Sequence, residues 1–180
     1  MDASYGNLTS KIISNIFPLG KTGATFDSYL RSDLSSLSFS KYKVIWLMGF
    51  IKLSKDELKM INELVKENKT LLVTEPKGTR IYNKDGETYV KDCVTFTDSQ
   101  LRSIFKNAGA HIYDYSGDVF YIGRNWLCSH TIFGGEKTIY LPFDAKVIDP
   151  INGNIKYNST RIIKFVASPK STTIFRIVPL

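Results

Sequence analysis

Apolar positions in the first half of the chain fall into short continuous runs that are separated by a stretch with helical spacing. Residues 43–48 and 70–74 are nearly continuous apolar runs, the pattern of strands buried on both faces of a parallel sheet. Between these runs Ser54 and Glu57 form a capping box, and the apolar positions that follow recur every three or four residues. The pattern predicts a right-handed βαβ unit with parallel strands.

Helices are also predicted on both sides of this unit. The N-terminal helix has apolar residues at helical spacing and ends near Pro18 and Gly20. Thr97 and Gln100 form a second capping box, and Gly109 supplies the C-terminal cap of the helix that it opens. The apolar positions of the N-terminal helix are Leu8, Ile12, Ile13, Ile16 and Phe17.

Shorter segments complete the predicted α/β half. Residues 24–29 alternate like a short strand, and residues 111–113 provide the last strand. Residues 81–90 carry Asp85-Gly86 between two extended stretches, which predicts a hairpin insertion. A doubly wound domain usually begins with a strand, whereas this chain reaches a helix by Leu8. We therefore expect either a piece of a longer polypeptide or a first strand that comes from elsewhere.

After Asp114 the period of the apolar pattern changes to two. Short extended stretches are separated by turn residues, including Gly134-Gly135 and Asn152-Gly153. Strands of this length and spacing predict a small sandwich or antiparallel sheet. The predicted fold class is therefore α/β: a doubly wound parallel sheet domain over residues 1–114, followed by a small antiparallel β domain over residues 115–180.

The formal net charge of +7 raises the question of nucleic-acid binding, because phosphate contacts need Lys and Arg clustered on one face. The basic residues are spread thinly, and those of the central helix are balanced by acidic neighbours. We therefore expect a solvated basic surface and no specific nucleic-acid partner. No apolar run approaches the roughly 18 residues that span a bilayer, and the N-terminus lacks the basic and apolar segments of a signal peptide. The sequence predicts no membrane partner and leaves the compartment open.

Residues for catalysis by a nucleophile or a metal are scarce. The only histidines are His111 and His130, and the only cysteines, Cys93 and Cys128, belong to no Cys-x-x-Cys pair. Such isolated residues make neither a zinc set nor an evident nucleophile–base pair, so we interpret the histidines as structural and the cysteines as free. Gly20-Lys21-Thr22 lacks the preceding glycine that a phosphate-binding loop needs. We expect no cofactor, no metal and no catalytic residue.

Carboxylates at strand ends remain as a source of acid–base chemistry. Glu75 follows the strand over residues 70–74, and the carboxyl end of a parallel strand faces the usual ligand crevice of an α/β sheet. We take Glu75 and Lys77 as candidates for such a crevice, and His130 as a candidate in the β half, without assigning catalysis to them. The acidic residues at strand ends are Glu75, Asp114, Asp118 and Asp149.

Strings in both halves of the chain carry a resemblance to a known family. Residues 58–74 form a helix, an Asn-Lys-Thr turn and an apolar strand, and residues 101–113 form a helix and a closing strand. The β half adds Ser116-Gly117-Asp118-Val119, His130, residues 135–139, Leu141-Pro142, Val147-Ile148-Asp149, Gly153 and residues 173–177. Together these strings resemble the C-terminal part of large β-galactosidase-like glycoside hydrolases.

The resemblance implies a flavodoxin-like domain similar to class I glutamine amidotransferases, of a kind that helps subunits associate or shapes a substrate entrance. In such enzymes the catalytic carboxylates lie in a preceding (β/α)8 barrel, which this chain lacks. An amidotransferase would carry its nucleophilic cysteine just after the strand that ends near Val73, where this chain has Thr74-Glu75-Pro76-Lys77-Gly78. Amidotransferase activity is therefore not implied.

The leading hypothesis is a non-catalytic accessory and oligomerisation part of a carbohydrate-active glycoside hydrolase. Its expected partners are a glycosidase catalytic domain or subunit and further copies of the chain. The alternative is a stand-alone carbohydrate-binding module, because aromatic residues make up 13% of the chain and aromatic faces can stack on sugars, although core packing accounts for most of them. A small hydrolase that uses Glu75 and a basic nucleic-acid binder are further alternatives.

Overall fold

The computed structural model describes residues 3–49, 52–92 and 95–180, and for residues 3–9, 11 and 12 it describes the backbone only. The described chain divides into two compact units. The first comprises the residues up to Pro18 together with Ser28–Ala110, and the second comprises Leu19–Asp27 together with His111–Leu180. The second unit is thus built from two separate stretches of the chain.

The first unit contains a four-stranded sheet and helices. In chain order these are α1 (Ala3–Gly20), a 3-10 helix (Arg31–Ser36), β1 (Val44–Leu47), α2 (Lys55–Lys66), β2 (Thr70–Glu75), β3 (Gly78–Asn83), β4 (Gly86–Lys91) and α3 (Asp98–Asn107). The strand order is β1-β2-β3-β4. β1 and β2 are parallel, whereas β3 is antiparallel to both of its neighbours.

Both predicted capping boxes are confirmed. The Ser54 hydroxyl accepts from the Glu57 N–H at the start of α2, and Thr97 accepts from Gln100 at the start of α3. The apolar side of α2 packs on β1 and β2, although Leu58 at its first turn is 44% exposed. The buried residues of this core are Ile45, Leu47, Ile61, Leu64, Leu71 and Val73.

The apolar side of α1 is largely exposed. The side chains of Ile13, Ile16 and Phe17 are 58%, 52% and 77% exposed, whereas Asn15 is fully buried and accepts a hydrogen bond from the Phe96 N–H. The side chains of Leu8 and Ile12, which the predicted stripe also includes, lie outside the described part. Helical spacing therefore located the helix without locating the residues that it buries.

The second unit is a five-stranded antiparallel sheet. Its strands are β5 (Val119–Gly123), β6 (Trp126–Thr131), β7 (Gly135–Ile148), β8 (Ile155–Ala167) and β9 (Ser171–Pro179), in the order β5-β6-β9-β7-β8. β9 pairs with β6 over its first six residues and with β7 only from Arg176 onward. Its buried core is Phe120, Leu127, Ile139, Leu141, Ala145, Val147, Ile163, Phe175 and Ile177.

The predicted α/β fold class, a flavodoxin-like parallel sheet followed by a β domain, is wrong. Strand outweighs helix in the described part of the chain, and both sheets are rich in antiparallel pairs. β3, which the sequence predicts as part of an insertion, pairs directly with β2 from Glu75↔Gly78 to Leu71↔Tyr82. The two residues Pro76-Lys77 join these strands, whereas a parallel crossover needs a dozen residues or more. A continuous apolar run shows that a strand is buried on both faces, but not the direction of its neighbours.

Two predicted strands of the α/β half also differ in the structure. Residues 24–29 form neither helix nor strand. Residues 111–113 belong to the second unit, where the Tyr113 N–H donates to the Gly23 carbonyl oxygen at 2.8 Å and Asp114 bridges to Ile139. The segment predicted to close the first sheet therefore packs with the second.

No helix in the described part of the chain is long and apolar enough to cross a membrane. Cys128 carries a free, partly buried thiol, and burial raises its pKa. Cys93 lies outside the described residues.

Candidate functional site

Glu75 and Lys77 lie at the tight turn between β2 and β3. The Glu75 carboxylate accepts a hydrogen bond from the Arg80 Nε at 2.8 Å, and the Arg80 guanidinium also contacts Glu87 on β4. The Lys77 carbonyl oxygen accepts from the Tyr89 hydroxyl at 2.8 Å and from the Asp92 N–H at 2.9 Å. These contacts tie the turn to the neighbouring strand.

Arg80 is the centre of charge in this hairpin. Its guanidinium lies 4.9 Å from the centre of the Tyr89 ring, and its hydrogen bonds with Glu87 and then Glu75 raise its pKa. Both carboxylates that contact the guanidinium are therefore held in ion pairs with it. The arrangement of Glu75 is that of an ion pair within a hairpin.

His130 lies in the other unit, on β6, with its side chain exposed. Its Nδ1 lies 2.8 Å from the Thr172 hydroxyl, across the strand pair that β6 makes with β9. Cys128, two residues earlier, shares its face of the sheet. The hydrogen-bond partner of the imidazole is Thr172, and burial raises the pKa of the Cys128 thiol.

The face of β5, β6 and β9 that carries His130 is rich in exposed aromatic and apolar side chains. Tyr121, Trp126 and Ile174 are 60%, 50% and 46% exposed. Residues directly opposite each other in a sheet share a face, and the registers Tyr121↔Cys128↔Ile174 and Trp126↔Arg176 place these side chains together. We call this surface the aromatic face; its members are Tyr121, Trp126, His130, Thr172, Ile174 and Arg176.

The aromatic face is the outer side of the same strands whose other side forms the core. Phe120, Leu127 and Phe175, each next in sequence to a member of the face, are 2%, 0% and 5% exposed. Tyr121 and Trp126 lie on adjacent strands and one row apart, so their Cα atoms are about 8 Å apart, given a strand spacing of about 4.8 Å and a rise of about 3.4 Å per residue. Two large rings thus project from the same face of the sheet.

The residue opposite Trp126 on one neighbouring strand is a glycine, and the residue opposite it on the other is a cation. Gly123 is its partner on β5, and a Cβ built at Gly123 would meet no atom within 4 Å. On β9 its partner is Arg176, an exposed residue. An indole beside bare backbone and a guanidinium offers a flat apolar surface next to hydrogen-bond donors, the combination that recurs where ligands with an apolar face and polar edges bind.

An open groove with a volume of about 470 Å³ adjoins the aromatic face. Residues of β8, of β9 and of the turn after β7 line it, and Thr172 and Ile174 belong to both the groove and the face. Lys156 and Lys164 supply positive charge on its wall, with Asp149 4.0 Å from the Lys156 ammonium. The groove therefore extends the face with polar and cationic groups.

Two of the carboxylates singled out in the sequence, Asp114 and Asp118, lie in one cluster in the second unit. The Asp114 carboxylate is buried and accepts hydrogen bonds from the N–H and the hydroxyl of Ser116, both at 2.8 Å. Asp118 lies 2.6 Å from the ammonium of Lys137, with the two side chains 10% and 9% exposed. The structure thus brings these carboxylates near one another and gives one of them a buried counter-ion.

The two carboxylates have opposite pKa shifts. Burial is the main cause that raises the pKa of Asp114, and the charge of Asp118 adds to the rise. Burial also acts to raise the pKa of Asp118, but hydrogen bonds from Lys137, Ser116 and Thr131 outweigh it and leave the pKa below its ordinary value. Opposite shifts also occur in catalytic acid pairs, yet here Asp114 is only 2% exposed, too buried to meet a substrate.

Asp149, the remaining strand-end carboxylate, begins the turn between β7 and β8. Its carboxylate accepts from the Ile151 N–H at 3.0 Å and its carbonyl oxygen accepts from the Gly153 N–H at 2.9 Å. Such contacts are those of an Asx turn. No group of three or more potential metal ligands occurs among the described residues.

The sequence did not distinguish the residues of the aromatic face from core residues. Strand alternation separates Phe120 from Tyr121 and Trp126 from Leu127, but it does not say which set faces the core. The run Val119-Phe120-Tyr121-Ile122 is apolar throughout, so hydrophobicity does not decide either. Only the paired register with β9 shows that Tyr121, Trp126 and Arg176 share an exposed surface.

Comparison with protein-family models, with curated proteins and with solved structures found no match to this chain.

Proposed function

We propose that this chain is a non-catalytic accessory part of a carbohydrate-active, β-galactosidase-like glycoside hydrolase, and that its second unit contacts carbohydrate through the aromatic face. The observation that carries the proposal is the exposure of Tyr121 and Trp126 on one face of the sheet. Sugar rings have apolar faces and hydroxyl edges, which suit an indole or phenol surface flanked by donors such as Arg176 and His130.

Three acidic residues of the second unit have structural contacts that support a non-catalytic role. Asp118 neutralises Lys137, Asp114 holds the turn at Ser116, and Asp149 holds the turn at Gly153. Hydrolysis of a glycosidic bond requires two carboxyl groups that flank the bond. Carboxylates committed to ion pairs and turns serve the fold instead.

The proposed partners are a glycosidase catalytic domain or subunit and further copies of the chain. The resemblance of residues 135–139 and 173–177 to the β domain of such enzymes supports this assignment, since both strings lie in strands of the second unit. The alternative is a stand-alone carbohydrate-binding module, which the aromatic face favours because it needs no catalytic partner to bind.

Retention on immobilised polysaccharides tests the contact with carbohydrate. The full chain is passed over a panel of insoluble glucans, galactans and xylans, beside Trp126→Ala, Tyr121→Ala and the control Phe133→Ala. Phe133 is 87% exposed in the turn after β6, outside the aromatic face. We expect Trp126→Ala to weaken binding about tenfold and Phe133→Ala to leave it unchanged. Equal retention of all variants, or none of any protein, would overturn the carbohydrate contact.

Two further measurements separate the accessory role from its alternatives. Steady turnover of aryl glycosides by the repurified chain would refute a non-catalytic role. Antibody detection on a denaturing gel of source cells gives the native mass: a band well above 20.4 kDa supports an accessory part of a larger enzyme. A band at that mass favours the stand-alone module.

A further inference from the structure

β8 is the last strand of the second unit's sheet, so one of its edges pairs with no other strand in the part of the chain that the structure describes. It runs for 13 residues, and its side chains Ile155, Ile162 and Val166 are 50%, 43% and 78% exposed. A long apolar edge of this kind is a template for pairing with another chain. An identical strand from a second copy is always available to such an edge.

The backbone groups that point out from this edge can be identified from the opposite strand. The Tyr140 N–H donates to the Tyr113 carbonyl oxygen at 2.8 Å, and the Tyr140 carbonyl oxygen lies 2.8 Å from the His111 Nε2. The Tyr140 backbone therefore faces away from β8, and Tyr140↔Ile162 is a non-hydrogen-bonded pair. The N–H and C=O of Ile162 consequently point to the open edge. Because the direction of these backbone groups alternates along a strand, the N–H and C=O of Lys164 point to the open edge as well.

Both of these outward residues are hydrogen-bonded by hydroxyls of β8 itself. The Thr160 hydroxyl accepts from the Ile162 N–H at 3.0 Å and donates to the Ile162 carbonyl oxygen at 2.7 Å. The Tyr157 hydroxyl accepts from the Lys164 N–H at 3.2 Å and donates to the Lys164 carbonyl oxygen at 3.1 Å. Each hydroxyl thus makes the pair of contacts that a neighbouring strand would make.

Tyr157 and Thr160 can contact the backbone of their own strand because β8 is not regular. The register between β7 and β8 shifts between Tyr140 and Ile148, so β8 is irregular around residues 155–160. An irregular strand can turn its own side chains back along its edge, and a bulge also twists the edge away from a flat partner. A regular strand would project Tyr157 and Thr160 perpendicular to the sheet.

We propose that the Tyr157 and Thr160 hydroxyls are edge guards, which keep the open edge of β8 from pairing with β8 of a second copy. Antiparallel self-pairing centred on Ile162 would place Ile162 opposite its own counterpart and Lys164 opposite Thr160 of the second copy. No two cations would then face each other, so charge does not prevent the pairing. The hydroxyls occupy the four backbone groups that such pairing needs first.

Sedimentation velocity on the full chain at a series of concentrations tests the proposal with Tyr157→Phe, Thr160→Val and the double variant. Both substitutions remove one hydroxyl and keep the size of the side chain. We expect each single variant to lower the apparent dissociation constant for self-association about tenfold relative to the unaltered chain, because it frees a pair of backbone hydrogen bonds for a second copy. Association equal to that of the unaltered chain, with the circular dichroism spectrum retained, would overturn the proposal.

Two control variants separate an opened edge from a loss of stability. Ile163→Val alters a fully buried neighbour on β8 and destabilises without opening the edge; it should leave association unchanged. Ile162→Lys, added to the double variant, places like charges opposite each other in the paired edge and should restore the original association state. Association of Ile163→Val as strong as that of the hydroxyl variants, or no reversal by Ile162→Lys, would contradict the edge-guard assignment.

Hydrogen exchange gives a readout that does not depend on association. In dilute solution the amides of Ile162 and Lys164 should exchange more slowly than those of exposed turns, because each donates to a hydroxyl. Thr160→Val should speed exchange at Ile162 alone, and Tyr157→Phe at Lys164 alone. Unchanged exchange in both variants would show that the hydroxyls do not hold these backbone groups.

Discussion

Asp114 and Asp118 lie four residues apart in sequence and have different roles at the residue scale. Asp118 neutralises Lys137 within a buried ion pair at 2.6 Å, whereas Asp114 holds the N–H and hydroxyl of Ser116. Strand-end position did not distinguish them in the sequence, because the ammonium that decides the role of Asp118 lies 19 residues away on β7.

Asp118→Asn should destabilise the second unit by about 3 kcal/mol, because it leaves the Lys137 ammonium buried without a counter-ion. Asp114→Asn should lower the free energy of unfolding much less. An amide oxygen still accepts hydrogen bonds from Ser116, and the substitution removes a buried carboxylate. Thermal and urea unfolding at pH 7 would measure both. An equal loss in the two variants would contradict the assignment of Lys137 to Asp118.

The two carboxylates should also differ in the pH dependence of unfolding. The folded pKa of Asp118 is lowered, so its carboxylate contributes fully to the free energy of unfolding above its ordinary pKa of 3.8. That contribution is lost as the pH falls through the folded pKa. The folded pKa of Asp114 is raised, so its ionisation lowers stability as pH rises above 3.8 through the folded pKa. Relative to the unaltered chain, Asp114→Asn should therefore gain stability as pH rises from 3.8 towards 7, as urea titrations would measure. A constant difference between the two proteins would contradict the raised pKa.

Gly23 should tolerate no side chain. Its φ is +74°, and a Cβ there would lie 1.8 Å from the Asp114 carbonyl oxygen. Gly153 has the same φ of +74° with no atom within 4 Å of its Cβ position, which makes it a matched control. Gly153→Ala should cost about 1 kcal/mol for the left-handed conformation.

Gly23→Ala should cost at least about 2 kcal/mol more than this control, because overpacking adds to the backbone strain. Denaturant midpoints of the two variants measure the difference. Equal midpoints would show that the contact between Gly23 and Asp114 is not tight in solution.

At the scale of elements, local signals located α1, α2 and α3 but not the 3-10 helix over Arg31–Ser36. The boxes at Ser54 and Thr97 start α2 and α3 because a side-chain oxygen satisfies an N–H that the helix leaves open. At the β2–β3 turn, by contrast, Glu75, Pro76 and Lys77 gave no sign that the next strand would return antiparallel. Strand direction depends on pairing partners, which a local pattern does not contain.

Ser54→Ala should lower the free energy of unfolding by about 1 kcal/mol, because it removes the acceptor for the Glu57 N–H. Ser35→Ala, at an exposed serine of the 3-10 helix, is the control and should lie within about 0.5 kcal/mol of the unaltered chain. Chemical denaturation monitored by far-ultraviolet circular dichroism compares the two. A loss in Ser35→Ala equal to that in Ser54→Ala would remove the cap as the cause.

At the scale of the whole molecule, the second unit takes residues from two parts of the chain. Leu19–Asp27 belongs to it together with His111–Leu180, and Gly23 accepts a hydrogen bond from Tyr113. The chain therefore passes from one unit to the other more than once. A fragment that begins at His111 therefore lacks Leu19–Asp27, one of the two stretches that form the second unit.

A fragment of residues 111–180 should consequently be unstable on its own. We expect it to show weak amide protection in hydrogen exchange, and a synthetic peptide of residues 17–28 added in excess to raise that protection. A peptide of the same composition in scrambled order is the control. Full protection of the fragment without peptide would show that residues 19–27 are dispensable for the unit.

Features that depend only on neighbours along the chain could be predicted without the structure. The capping boxes, the strands predicted over residues 43–48 and 70–74 and the change of period after Asp114 are local, because helix caps and side-chain alternation act over a few residues. Sheet topology, the attachment of residues 111–113 to the second unit and the exposure of Tyr121 and Trp126 depended on the tertiary structure. Each of these is set by pairing between residues far apart in the chain, and the same alternating pattern is compatible with either face of a strand lying against the core.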